Sequence, residues 1–236
     1  MRMSTFVLVA GVSLAGIACS APLHAEPLVT KVGIGTFLHP IQEPAAVPMP
    51  SCYDQGPCQC RKEHVYIFGV NGLNPLCLGN FNGMMGYFRK QGFENCYFGQ
   101  LYTSHWFADK IREIRRADPE ARIALIGFSL GANYVQAIAN NLAKDGVKVD
   151  LVVYLVGDFV GNSAASRPDN VVRVVNVRAK GIVLAGGDLL CDGSDIQGAS
   201  NHRIGCRHIL APSRRETLEL LTKELLMLAC FRAGAR

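Results

Sequence analysis

The order of short apolar runs and helix-like stretches constrains the fold of this chain more than any other feature of its sequence. From His64 onward, the apolar runs alternate with stretches whose apolar residues recur at helical spacing. The predicted strands are 64–70, 96–102, 123–126, 149–156, 171–177 and 203–206, and the predicted helices are 80–90, 106–116, 130–143 and 216–229. Such alternation favours a mostly parallel sheet with helices on both faces. The sequence therefore predicts an α/β fold over residues 63–236.

The first 25 residues have the features of a signal peptide. Arg2 supplies a positive charge, residues 6–17 form an apolar run, and small or apolar residues precede Glu26. The run is too short to be a good membrane span. A lipoprotein anchor at Cys19 is an alternative, although Gly16 stands where a lipobox carries Leu or Val. We therefore expect export, to the periplasm or out of the cell.

The charge balance argues against nucleic acid as a partner. The chain has 24 Lys and Arg, of which Arg2 belongs to the signal peptide, against 19 Asp and Glu. This small excess includes no dense basic cluster, which is not typical of nucleic-acid binding. Beyond the signal peptide, no apolar run is long enough to cross a bilayer.

The cysteines agree with export. The chain has nine, and eight follow the signal peptide, an even number that favours disulfides in an exported protein. Cys191 and Cys206 flank a polar stretch that would be mobile if left untied, so we predict a bond between them, with Cys206–Cys230 as the alternative. Residues 26–62, rich in Pro and Cys, are interpreted as a loop-rich segment preceding the fold.

A Gly-x-Ser-x-Gly pattern stands where the buried strand 123–126 gives way to a helix. It reads Gly127-Phe128-Ser129-Leu130-Gly131. Strand, Gly-x-Ser-x-Gly and helix are the context of a nucleophile elbow, a tight turn that exposes the serine hydroxyl at the sheet edge. The turn leaves no room for side chains at Gly127 and Gly131, and the helix N-terminus favours negative charge beside the serine. Ser129 is the predicted nucleophile; a serine that merely caps the helix is the alternative.

With this motif and its order of elements over residues 65–227, the chain resembles the α/β-hydrolase superfamily, and within it the lipase-like and esterase-like members. It departs from the commonest elbow, GHSLGG, at Phe128 and Ala132, which lie outside the glycine positions. The connection between the predicted strands 149–156 and 171–177 is short and leaves little room for a large lid, which favours a compact fold with little or no cap domain. The resemblance implies chemistry that needs no metal or organic cofactor.

The resemblance further implies an oxyanion hole made of two backbone N–H groups. One belongs to Leu130, the residue after the serine. The other is expected from Leu73, in the loop Asn71-Gly72-Leu73, where lipases of this type carry His-Gly-x. An ordinary Asn-Gly turn is the alternative interpretation of this loop.

The general base is expected among the histidines near the C-terminus. Chain order in the superfamily is serine, acid, histidine, which leaves His202 and His208. His208 follows the last predicted strand, and catalytic residues belong at the carboxyl ends of parallel strands. His208 is therefore the predicted base and His202 the alternative.

The acid is the least constrained member of the predicted triad. Fungal lipases carry it after the strand that corresponds to 171–177, where this chain has Ala179 and Lys180. Asp158 ends the preceding strand, a position that pancreatic-type lipases use, and is the predicted acid. The alternatives are a Ser–His dyad without an acid or one of three later aspartates, Asp188, Asp192 and Asp195.

The expected function is hydrolysis of a small-molecule or lipid ester through an acyl-enzyme. Because a fold does not fix a function, two alternatives stay open. One is a catalytically degenerate binding protein with the hydrolase fold. The other is acyl transfer, or cleavage of a thioester or peptide, by the same triad.

Overall fold

Within the residues that the structure describes, six parallel strands form one sheet. The computed structural model describes residues 34–48, 60–73, 77–157, 166–180 and 195–230. In chain order the strands are β1 (Val65–Val70), β2 (Cys96–Gly99), β3 (Arg122–Phe128), β4 (Val149–Leu155), β5 (Val171–Lys180) and β6 (Ser200–Arg207). Their order across the sheet is β2-β1-β3-β4-β5-β6, and every neighbouring pair is parallel.

Helices cover both faces of the sheet. They are α1 (Ile34–Leu38), α2 (Phe81–Lys90), α3 (Ser104–Ala117), α4 (Gly131–Ala143) and α5 (Arg215–Ala229). One core, under α2 and α5, contains side chains such as Ile67 and Ile126. The other, under α3 and α4, contains their chain neighbours Phe68 and Leu125. Successive strand residues point to opposite faces, so strands covered on both sides must be apolar throughout. The predicted α/β class is therefore confirmed.

Some element boundaries differ from the prediction. The second strand ends at Gly99, and Leu101–Thr103 form a short 3-10 helix; β5 and β6 are longer than their apolar runs. Within the segment interpreted as loop-rich, residues 34–38 form α1, which packs against the loop that precedes α2. A side-chain carbon at Gly35 would lie 2.6 Å from the carbonyl oxygen of Leu78, so only glycine allows this packing. Residues 1–25, which are predicted to be a signal peptide, lie outside the described residues.

The disulfide found in the structure differs from the predicted one. Cys60 and Cys230 are bonded, with their Cα atoms 4.2 Å apart. Cys206 is a buried free thiol, so the bond predicted between it and Cys191 is wrong, as is its alternative; Cys191 itself lies outside the described residues. The physical reason is orientation, because the Cys206 side chain points from β6 into the core under α2 and α5. Burial there raises the pKa of the Cys206 thiol to about 11.

Of the helices that the structure describes, none offers an apolar stretch sufficient to traverse a bilayer.

Candidate active site

Ser129 occupies a strained turn between β3 and α4. Its φ angle is +55°, a left-handed conformation that is uncommon for residues other than glycine. Its N–H donates to the carbonyl oxygen of Leu155 on β4 at 2.9 Å, and its own carbonyl accepts from the Ala132 N–H at 2.9 Å. The turn is thus fixed from the sheet on one side and from the first turn of α4 on the other. Strain of this kind is concentrated at functional sites.

Both glycines of the motif are sterically required. A Cβ atom at Gly127 would lie 2.5 Å from the carbonyl oxygen of Gly131 and 2.6 Å from the backbone nitrogen of Ala132. A Cβ atom at Gly131 would overlap the carbonyl oxygen of Val70 at the end of β1. These contacts agree with the prediction from the sequence that the turn leaves no room for side chains at the two glycines. They also show that Gly131 allows α4 to approach β1.

The loop after β1 lies directly against the elbow. A Cβ atom at Gly72 would lie 2.7 Å from the Ser129 Cβ and 3.1 Å from the Leu130 nitrogen. The side chain of Asn71 is fully buried, and its Oδ1 accepts the Gly72 N–H at 3.1 Å. Because that N–H is engaged, the next donor along the loop is the N–H of Leu73.

His208 begins the short 3-10 helix that follows β6, at the same edge of the sheet as Ser129. Its ring centroid is 5.4 Å from that of Phe128, the residue before Ser129. The imidazole is only 5% exposed, and this burial lowers the pKa of His208 to about 4. It is therefore neutral at pH 7 and has a lone pair available to accept a proton.

The alternative base, His202, has a different environment. It lies inside β6, paired in register with Val177 on β5, rather than beyond the carboxyl end of the strand. Its Nε2 is 2.8 Å from the hydroxyl oxygen of Ser200 on the same strand. The structure therefore places His208, and not His202, beside the elbow.

The candidate acids are only partly described. Asp158, Asp188 and Asp192 lie outside the described residues. Asp195 is 67% exposed and forms an ion pair with Arg178 at 3.1 Å. It precedes β6, whereas His208 follows this strand.

The chain leaves β4 through a second left-handed residue. Val156 has a φ angle of +49°, which is a genuine outlier for a β-branched residue. Its N–H donates to the carbonyl oxygen of Val177 at 2.7 Å. A Cβ atom at the next residue, Gly157, would lie 2.5 Å from the Ala132 Cβ, so this turn packs on the first turn of α4, close to the elbow.

Sequence reasoning missed two residues that shape the site. Phe128 stacks on Phe81 of α2 at a centroid distance of 5.8 Å and also contacts His208. Asn71 holds the loop after β1 through its side chain. The sequence signal for each was its position, because Phe128 directly precedes Ser129 and Asn71 directly precedes Gly72. In the described part of the chain, no group of three or more His, Cys, Asp or Glu side chains could hold a metal ion.

Comparison with known proteins gives matches of low similarity. No protein-family model matches the chain. A stretch of 48 residues is 46% identical to part of a dimodular nonribosomal peptide synthase from Bacillus subtilis (strain 168), and covers 20% of this chain but only 2% of that protein. The chain thus spans a small fraction of the length of that curated relative.

Solved structures of several hydrolases are similar in outline. A predicted CIB-like hydrolase from Thermoplasma acidophilum is 12% identical, with coverage of 68% of this chain and 86% of that one and a TM-score of 0.43. The RedJ thioesterase of the prodiginine pathway in Streptomyces coelicolor is 12% identical. The match covers 77% of this chain and 96% of that one, with a TM-score of 0.44. A cutinase-like protein from Cryptococcus sp. is 10% identical. The match covers 75% of this chain and 100% of that one, with a TM-score of 0.41.

The geometry of the chain itself identifies the fold. All six strands are parallel, and β3 runs into a Gly-x-Ser-x-Gly turn whose serine is left-handed and is followed at once by a helix. A strand, a strained serine elbow and a helix at the carboxyl edge of such a sheet are the defining arrangement of the α/β-hydrolase fold. The chain therefore has a compact α/β-hydrolase fold.

Proposed function

We propose that this protein is an exported serine hydrolase that cleaves carboxylic esters through an acyl-enzyme. The observation that carries the proposal is the left-handed Ser129, in contact with the loop after β1 and flanked by a buried histidine beside Phe128. A nucleophile, a neutral base and backbone donors at one edge of a sheet are what acyl transfer requires.

In the proposed acylation step, Ser129 attacks the ester carbonyl carbon while His208 takes the hydroxyl proton. The tetrahedral intermediate collapses, the bond to the leaving alcohol breaks, and His208 returns the proton to that alcohol. In the second step His208 deprotonates water, which attacks the acyl-enzyme. The carboxylic acid leaves, and the proton returns to Ser129.

The oxyanion of each intermediate is assigned to the N–H groups of Leu130 and Leu73. The contact between Gly72 and both Ser129 and Leu130 supports this assignment, because it brings the two donor segments together. The loss of one such donor typically slows turnover by about 10² to 10³. The loop is therefore expected to contribute to rate rather than to fold alone.

Asp158 is proposed as the acid that orients His208. The support is topological: the turn at Val156 and Gly157 leaves β4 at the sheet edge that carries Ser129 and packs on the first turn of α4. Asp195, in contrast, is already paired with Arg178. An acid in this role fixes the tautomer of the imidazole and stabilises its charged form.

Export is proposed from the N-terminal sequence and the Cys60–Cys230 bond. Disulfides persist in oxidising compartments and are rare in the cytosol. Edman sequencing of protein recovered from outside the cytoplasm is expected to begin at Glu26. A Met1 N-terminus would contradict export by this signal peptide, and lipid on Cys19 would favour the lipoprotein alternative.

The test of the enzymatic proposal is Ser129→Ala, assayed on p-nitrophenyl esters of different acyl chain length. Turnover is expected to fall by as much as about 10⁶, the loss seen when a triad nucleophile is removed. Ser200→Ala is the matched control, because Ser200 contacts His202 and not the elbow. A fluorophosphonate probe should label wild type and Ser200→Ala but not Ser129→Ala. Retained turnover in Ser129→Ala, or labelling elsewhere, would refute the assignment.

A further inference from the structure

Four rings from separate elements pack in a row that ends at His208. Phe98 of β2 lies 5.8 Å from Phe81, the first residue of α2, and Phe81 lies 5.8 Å from Phe128 at the end of β3, measured between ring centroids. Phe128 in turn lies 5.4 Å from the imidazole of His208. Aromatic pairs in contact have centroids about 4.5–7 Å apart. The imidazole is thus the last ring of a packed aromatic row.

Phe128 is held firmly where it meets His208. Its ring stacks on Phe81 with an angle of 20° between the two planes, and both side chains are buried. A Cβ atom at Gly79 would lie 2.9 Å from the Phe128 ring and 3.2 Å from the carbonyl oxygen of Ile209. The loop before α2 therefore closes both on Phe128 and on the residue that follows His208. Phe128 is thus confined between α2, this loop and the imidazole.

The imidazole of a general base needs such a support. Rotation about χ2 of histidine is a broad torsion, so rotamer preference does not fix the plane of the ring. Proton transfer requires a ring nitrogen of His208 within about 2.6–3.2 Å of the Ser129 hydroxyl oxygen. An acid selects the tautomer of the imidazole, whereas neighbouring side chains restrict the rotation of its plane. The described residue whose ring contacts this imidazole is Phe128.

We infer that Phe128 is a positioning residue for the proposed base, because its ring, backed by Phe81, fixes the plane of the His208 imidazole and shields it from water. The inference rests on the proposed function, in which His208 accepts the Ser129 proton. The role is exercised through His208 and requires no contact with the ester. Burial agrees with the shielding, since His208 is only 5% exposed and its pKa is lowered to about 4.

The kinetic test is Phe128→Leu, assayed on dissolved p-nitrophenyl butyrate. Leucine fills part of the space but has no flat face for the imidazole. A misaligned base is expected to lower kcat by about tenfold to a hundredfold. KM should stay within about twofold, because the alignment matters in the transition state and not in ester binding. Phe128→His should recover most of the lost kcat at pH 8, where an ordinary imidazole is neutral and its shorter flat ring fits beside Gly79.

The matched control is Phe68→Leu, the same chemical change in the other core. Phe68 is fully buried under α3 and α4 and stacks on Tyr97 at a centroid distance of 4.7 Å. Phe68→Leu should lower the free energy of unfolding and keep kcat within about twofold of wild type. An equal loss of kcat in Phe68→Leu and Phe128→Leu would overturn the inference, because it would show general loosening of the fold.

A double-mutant cycle tests whether Phe128 acts through His208. In the His208→Ala background, Phe128→Leu should change the residual rate by less than about twofold, because no imidazole is left to position. A further tenfold loss in that background would overturn the inference. If Phe128→Leu does not fold, Phe81→Leu takes its place, since Phe81 backs Phe128 from behind. The expected loss of kcat is then smaller, about threefold to tenfold, and an unchanged kcat would overturn the inference.

The last measurement does not depend on hydrolysis. Relaxation of ¹³C in the His208 ring, assigned by its absence from His208→Ala, should give an order parameter typical of rigid groups, about 0.85, in wild type and Phe68→Leu. In Phe128→Leu it should fall below about 0.6, the range of flexible groups. An unchanged order parameter would overturn the inference. Full turnover in Ser129→Ala would instead refute the proposed function, and the relaxation measurement would still decide whether Phe128 holds the imidazole.

Discussion

Replacing Gly72 with alanine is expected to abolish most of the activity by moving the loop after β1 away from the elbow. The added Cβ would lie 2.7 Å from the Ser129 Cβ and 2.8 Å from the Phe128 carbonyl oxygen. Carbon atoms in contact prefer about 3.5–4.0 Å, so the loop must retreat by about 1 Å. The backbone of Gly72 is not left-handed, so the effect comes from the contact and not from its dihedral angles.

The size of the effect follows from the proposed donor on this loop. A retreat of about 1 Å takes a hydrogen bond of about 2.9 Å beyond the range in which it holds an oxyanion. Removing one oxyanion donor lowers kcat by about 10² to 10³. Overpacking is also expected to lower the free energy of unfolding by about 1–3 kcal/mol. We therefore expect a large loss of kcat in a protein that still folds.

The assay is kcat and KM on dissolved p-nitrophenyl butyrate, together with a thermal unfolding curve. The matched control is Gly205→Ala on β6, since a Cβ atom there would have no neighbour within 4 Å. Gly205→Ala should keep the wild-type kcat. If Gly72→Ala folds and keeps kcat within about threefold of wild type, the loop is not an oxyanion donor and the reasoning is refuted.

Three further predictions concern the acid, the base and the disulfide. Asp158→Asn should lower kcat by up to about 10⁴, because an amide stabilises the wrong imidazole tautomer. Asp195→Asn should leave kcat nearly unchanged. The reverse result would identify Asp195 as the acid. Burial holds the pKa of His208 at about 4, below its ordinary 6.5. Between these pH values the unfolded chain therefore binds more protons than the folded chain. From burial alone, the free energy of unfolding should thus fall by up to about 3 kcal/mol as the pH drops from 6.5 to 4, and the proposed Asp158 carboxylate would make this fall smaller by stabilising the imidazolium. In urea titrations at several pH values, His208→Ala should lack this pH-dependent loss of unfolding free energy. Equal pH dependence in His208→Ala and wild type would contradict the prediction. Cys60→Ser should lower the free energy of unfolding by about 2–5 kcal/mol, since the bond to Cys230 closes a loop spanning 170 positions; equal urea midpoints for variant and oxidised wild type would argue against the bond.

Several features of the fold could be predicted because they follow from local chemistry. The uninterrupted apolar run at 123–126 can only be a strand covered on both faces, and the structure buries all of β3. The two glycines around Ser129 mark a turn too tight for side chains. Such patterns depend on near neighbours in the chain, so the sequence displays them directly.

The contacts that complete the candidate site could not be predicted in the same way. The engagement of the Gly72 N–H by Asn71 and the placement of Phe128 against His208 depend on how separate elements pack. The error over Cys206 has the same origin, because the direction of its side chain into the core decided that it stays a thiol.

The sequence by itself determined the alternation of strands and helices, the elbow at Ser129 and the position of His208 after the last strand. Tertiary structure decided the pairing of Cys60 with Cys230, the packing of α1 on the Leu78 carbonyl and the contact of Gly72 with Ser129. The physical reason is that periodicity and turn sterics act over a few neighbouring residues. Burial and close contact join residues far apart in the chain, and they arise only once the sheet has brought the ends of its strands to one edge.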